Sequence, residues 1–109
     1  MEITFADTGL ESICQQKKLA TKAIGAQSAT KLKLRLAELF AAETVKDLVA
    51  GRPHPLKGAR FGQFALDLSG GHRLIFQPTM QPPPMLPDGG IDWTSVTHVT
   101  IIEIGDYHD

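Results

Sequence analysis

Polar and apolar residues alternate over Glu2–Ala6, and the segment is rich in strand formers. This is the two-residue period of a short strand. Thr8-Gly9-Leu10-Glu11 then has the spacing of a capping box, with Thr8 as the cap and Glu11 reaching back. Leu10, Ile13 and Cys14 follow at helical spacing, and Lys17-Lys18 fall on the wet side of that helix. Gly25 marks a break. From Ser28 onward, Leu32, Leu36, Leu39 and Phe40 lie at i, i+4, i+7 and i+8, one face of a helix. Lys31, Arg35 and Glu38 take its other faces. A third short helix is predicted from Thr44, with Asp47 three residues on and a stop at Gly51.

The two prolines of Arg52-Pro53-His54-Pro55 exclude a helix and predict an extended loop. After Gly58 the period becomes two. Phe64, Leu66 and Leu68 alternate with Gln63, Ala65 and Asp67 in a half-buried strand. Ser69-Gly70-Gly71 reads as a hairpin turn. The returning strand sets Leu74 and Phe76 on one face, Arg73 and Ile75 on the other. Residues from about 77 to 95 hold most of the prolines and no periodicity, so a long loop is expected. Val96 to Ile104 is apolar on both faces, as suits a central strand. The order is strand, two or three helices, then three strands. That predicts an α+β domain spanning 1–109, its helices packed on one face of a mostly antiparallel four-stranded sheet.

Composition narrows this picture in three ways. The 109 residues suffice for one domain and not two. The formal net charge is only −1. No global field would draw in a nucleic acid, so any phosphate site must be a local patch. The lone Cys14 can form no internal disulfide, and its apolar helical neighbours favour a buried, inert thiol over a nucleophile. No cysteine pair supports a structural zinc site. The N-terminus lacks a charged segment followed by a long apolar run, and no stretch approaches the ~20 apolar residues of a membrane span. A cytoplasmic protein with no membrane partner is expected.

The run His54-Pro55-Leu56-Lys57-Gly58, then Arg60, then Gly62-Gln63-Phe64, Arg73-Leu74-Ile75-Phe76 and the closing Ile104-Gly105-Asp106-Tyr107-His108 resemble the HigB-like "killer protein" toxins of the RelE/ParE superfamily. The resemblance covers essentially the whole chain. It implies a RelE-like fold and a small cognate antitoxin of the HigA-like helix-turn-helix kind, with operator DNA bound only through the toxin–antitoxin complex. It also implies cleavage of mRNA on the ribosome. Arg73 looks like the family's phosphate-binding arginine, and His54, Asp106, Tyr107 and His108 look like its catalytic positions. The chain departs from RelE itself at Ala65 and Asp67, where RelE carries lysines. That departure moves acid–base work from lysines to histidines.

Such chemistry needs a base for the ribose 2′-hydroxyl, an acid for the departing 5′-oxygen and a cation for the phosphate. Histidine fits both proton roles because its ordinary pKa is ~6.5. The planar fork of arginine fits the phosphate. Each candidate has a plain alternative. Arg73 could be a solubilising strand residue, His54 an exposed side chain, and Asp106-Tyr107-His108 a polar tail. If the strand continues, Asp106 and His108 share a face, Asp106 raises the pKa of His108, and Tyr107 stacks on a base. Lys57 and Arg60 are further RNA-binding candidates, or plain surface charges. His72 and His98 read as strand-end polar residues. No metal and no cofactor is required. Two rival functions stay open: a ParE-like toxin that binds DNA gyrase without cutting RNA, and a degenerate toxin that keeps only antitoxin binding.

Overall fold

The computed structural model describes residues 1–106. Strand β1 (Glu2–Phe5) leads into helix α1 (Thr8–Gln15), helix α2 (Lys17–Ala41) and a 3₁₀ turn at Val45–Asp47. Strands β2 (His54–Pro55), β3 (Phe64–Asp67), β4 (His72–Pro78) and β5 (His98–Asp106) follow, with 3₁₀ turns at Gly58–Arg60 and Trp93–Ser95. The sheet has five strands in the order β1-β5-β4-β3-β2, not the four expected. The added edge strand is the segment read as a loop: His54 pairs with Ala65 and Pro55 with Phe64. A two-residue strand leaves no periodic trace in a sequence. β1 runs parallel to β5, because both helices intervene between them, and the other pairings are antiparallel.

α1 is capped by Asp7, not Thr8: the Asp7 carboxylate accepts the Leu10 N–H at 2.8 Å. A single residue, Gln16, separates α1 from α2, and α2 is kinked at Gly25, whose φ of 85° breaks the helical path. The expected third helix shrinks to Val45–Asp47, held where the Thr44 N–H donates to Asp47. Leu32, Leu36 and Leu39 of α2 are buried against Leu66, Leu74, Phe76, Val99 and Ile101 of the sheet. Phe40, placed on the same stripe, is instead 63% exposed, and Arg35, placed on a wet face, is 6% exposed. Arg35 pairs with Glu38 at 3.0 Å while its stem lies against Gly51.

A polar pin fastens α2 to the β3–β4 turn. The buried Ser28 hydroxyl donates to the Ser69 carbonyl at 3.0 Å and accepts the Ser69 N–H at 3.2 Å. With its hydrogen so used, Ser28 can only accept from His72 Nδ1 at 2.9 Å. His98, at the start of β5, faces Glu2 at 3.4 Å. Both histidines are therefore strand-end polar groups. Cys14 is half-buried, and burial pushes its thiol up to about 12. A thiol so shifted is inert at neutral pH.

The proline-rich connection begins after Pro78, because β4 runs further than the sequence pattern implied. It carries its own structure. Met85 bridges Ile91, and the Asp92 N–H donates to the Pro84 carbonyl at 2.9 Å. Trp93 packs edge-on against Phe64 at 4.9 Å, and Ile91 and Val96 are buried. The far side of the sheet, free of helices, is not uniformly wet. Leu56, Ala65 and Ile75 are buried there, with Ile102 against them. Ile102 is the extra residue where the β4–β5 register shifts between Ile75 and Phe76.

Gly51 tests this packing. Its φ is 82°, and a Cβ there would lie 2.9 Å from Arg35 Cδ and 3.2 Å from the Asp67 carbonyl. Gly51→Ala should cost about 2 kcal/mol or more, from left-handed strain plus this overlap. Gly58→Ala, at φ 61° with open space around it, should cost only about 1 kcal/mol. Urea unfolding of the two variants measures the difference; equal losses would contradict the crowded environment of Gly51.

Candidate functional site

The helix-free face of the sheet carries His54 and Arg73, and the strand register explains why. Residues paired across antiparallel strands project to the same face. The ladder runs His54–Ala65–Ile75–Glu103 across four strands, and the next one runs Asp67–Arg73–Gly105. His54, Asp67 and Arg73 therefore share the face whose floor is Leu56, Ala65 and Ile75. Two strand spacings and one pair of residues separate His54 from Arg73, roughly 12 Å between Cα atoms. That span matches the combined reach of a histidine and an arginine side chain.

Arg73 is not an isolated surface cation. Its Nε donates to Asp67 Oδ1 at 3.0 Å. The other carboxylate oxygen, Oδ2, accepts from Arg52 Nε at 2.9 Å. Asp67 thus stands between two guanidinium groups. Partial burial opposes its ionisation, but hydrogen bonds and charge from Arg52 and Arg73 outweigh that, and its pKa lies below the ordinary aspartate value. Arg52 itself departs from the usual backbone. It is the one non-glycine residue with positive φ (49°) among the described residues, directly after the left-handed Gly51. The Gly51 carbonyl accepts the Asp67 N–H at 2.7 Å, which ties this bend to β3.

The same bend orients His54. Its Nδ1 lies 2.8 Å from the Arg52 carbonyl. A carbonyl oxygen only accepts, so Nδ1 carries the hydrogen, and in the neutral ring Nε2 is left as the proton acceptor. Arg60 sits at the other side of the floor. It donates to Gln63 Oε1 at 2.9 Å and to Glu103 Oε1 at 2.8 Å. Lys57 is exposed just before the Gly58–Arg60 turn. Arg52, Arg60 and Arg73 thus outnumber Asp67 and Glu103 on this face, a local positive surplus in a chain of net charge −1.

Asp106 is exposed at the end of β5, and the register does not bring it to Arg73: it pairs with His72, whose ring meets Ser28 of α2, so it lies on the helix-side face, while Gly105 is Arg73's partner. Tyr107 and His108 lie outside the described residues. Among the described residues, no cluster of three or more His, Cys, Asp or Glu side chains could hold a metal ion. No helix among them is long and apolar enough to cross a membrane. Two residues central to this geometry were missed as site members, Arg52 and Asp67. Asp67 was noticed only as a departure from the RelE pattern. A Ser-Gly-Gly turn closing Leu68 onto His72 fixes the Asp67–Arg73 pairing, so that opposite-charge pair was open to inference. Arg52, fifteen residues from Asp67 in sequence, left no such signal.

Three solved structures resemble the whole chain. The YoeB/ParE toxin from Agrobacterium tumefaciens matches with a TM-score of 0.62 at 13% identity, over 99% of this chain and 100% of that one. The fold is that of the YoeB/ParE toxins. The YoeB–YefM complex from Staphylococcus aureus matches at 0.58 and 17% identity, over 100% of this chain and 98% of that one. The YoeB dimer from the same organism matches at 0.57 and 18%, with the same coverage. No protein-family model matches the sequence, and no curated protein does. The structural likeness therefore shows the fold of the YoeB/ParE toxins and does not single out the HigB branch.

The Asp67 pairing predicts a pH dependence. Its folded pKa lies below the unfolded value of ~3.9. Its contribution to stability is therefore complete above that value and lost as pH falls through the folded one. In urea unfolding, Asp67→Asn should be less stable than the parent at pH 6, and the gap should close toward pH 3. A gap of the same size at both pH values would contradict the assignment.

Proposed function

We propose that the chain is the toxin of a type II toxin–antitoxin module that cleaves mRNA on the ribosome and is neutralised by a cognate antitoxin. The observation that carries this reading is the shared open face: an arginine held in place by a carboxylate, and a histidine whose Nε2 is left free to take a proton. The HigB-like motifs of the sequence supply the rest, including the helix-turn-helix character of the antitoxin.

In this reading His54 Nε2 takes the proton of a ribose 2′-hydroxyl. The 2′-oxygen forms a bond to phosphorus as the bond from phosphorus to the 5′-oxygen breaks. Arg73 holds the non-bridging oxygens as charge builds on them. The motif assigns the return of a proton to the 5′-oxygen to His108 and stacking on a base to Tyr107; the register of β5 sets Asp106 on the face opposite Arg73, so no step is routed through Asp106. The products are a 2′,3′-cyclic phosphate and a 5′-hydroxyl. Lys57 and Arg60 contribute to backbone contacts along the same face, Arg60 in a weaker role because Gln63 and Glu103 already accept from it. The site's modest charge surplus suits an enzyme whose substrate is presented by the ribosome rather than captured from solution.

Brief induction of the protein in a bacterial host, followed by mapping of new RNA ends, tests this. New 5′ ends should appear inside reading frames, in phase with codons. Arg73→Gln should reduce cleavage by about 100-fold or more, and His54→Gln by about 100- to 10,000-fold. Growth arrest with intact RNA would overturn the nuclease reading in favour of the gyrase-binding one. No arrest at all would favour a partner-binding domain without activity.

A further inference from the structure

We infer that Arg52 is a second phosphate-contacting residue of this site, forming with Arg73 a two-guanidinium clamp on the backbone of one single-stranded RNA. The inference rests on the nuclease reading above and goes beyond it, because the family resemblance assigns nothing to Arg52. Three observations carry it. First, Asp67 gives one oxygen to the Nε of each arginine, at 2.9 and 3.0 Å. Two like-charged groups thereby share one carboxylate, close enough to reach neighbouring phosphates on a single strand. Second, the Arg52 side chain stays 64% exposed, against 22% for Arg73. Arg73 is the more deeply held of the pair, and Arg52 extends the patch outward toward the sheet edge. Third, Arg52 occupies the left-handed region at φ 49°. Glycine would sit there without strain, and an arginine kept in such a conformation is a pointer to use.

The same residue positions the base. The Arg52 carbonyl fixes the His54 ring through Nδ1. One bend therefore delivers a cation through its side chain and a tautomer through its backbone. The two roles separate cleanly, because a side-chain replacement leaves the carbonyl in place.

The test is binding of a fluorescent RNA hexanucleotide, made uncleavable by a 2′-O-methyl group at every position, across a series of salt concentrations. Three proteins are compared: the parent, Arg52→Gln and Arg73→Gln. Folding is checked by thermal melting, and Arg52→Gly serves as a second variant that removes both charge and strain. The clamp predicts that each glutamine variant weakens binding by about tenfold and flattens the slope of log K against log salt by about 0.7, one phosphate contact on a single strand. Arg52→Gly should bind as weakly as Arg52→Gln while melting no lower than the parent. If Arg73→Gln loses affinity and Arg52→Gln binds like the parent with the same slope, the clamp is overturned and the nuclease reading stands. If neither variant changes binding, or the parent binds no RNA at any salt, the clamp is overturned, and the mapping of new RNA ends after induction decides the nuclease reading by itself.

Discussion

One carboxylate organises the open face of this sheet. Asp67 accepts from Arg73 on the neighbouring strand and from Arg52 on the bend before the edge strand. Two guanidinium groups left without a shared anion would repel each other and scatter. With Asp67 between them they are drawn to one end of the site. The Asp67–Arg73 pair is only partly exposed, so water screens it less than a free surface ion pair. Everything proposed for the site depends on this arrangement: the phosphate-binding arginine, the direction of its side chain, and the bend that presents His54.

The fold supplies the rigidity that such an arrangement needs. β3 and β4 are locked together by a tight turn and by a full ladder from Phe64–Phe76 to Asp67–Arg73. Their inner face is filled by Leu66, Leu74 and Phe76 under α2. Ser28 and His72 fasten α2 to the turn that joins them. Their outer face is sealed by Ala65, Ile75 and Leu56. Asp67 and Arg73 thus stand on paired strands over a dry floor, and Arg52 is tied to them from the adjoining bend. A site built on strands holds its geometry better than one built on loops.

Much of this was legible in the residues. The two-residue period found β3 and β4 and sorted Arg73 from Leu74 correctly, since that period is a direct consequence of pleating. The helix stripe of Leu32, Leu36 and Leu39 was legible from the other period, the 3.6 residues of a helical turn. Phe40 and Arg35 were misplaced because the helix ends one residue after Phe40, and because an arginine stem can fill space beside a glycine such as Gly51. β2 was missed because it exists only through pairing with β3; nothing in His54-Pro55 by itself prefers a strand. The motifs named Arg73 and His54 but not what holds them. Arg52 and Asp67 come together through a left-handed bend that pattern reading does not see. Tyr107 and His108 lie outside the described residues, so the proposed proton donor rests on the motif alone.

The most direct measurement is a double-mutant cycle between Asp67 and Arg73. Unfolding free energies of the parent, Asp67→Asn, Arg73→Gln and the double variant would be compared at neutral pH. The account predicts a favourable coupling of about 0.5–2 kcal/mol, as befits a charged, partly buried pair in contact, reduced when the cycle is repeated in an Arg52→Gln background. Additive losses, with no coupling in either background, would contradict the claim that one carboxylate holds the site together.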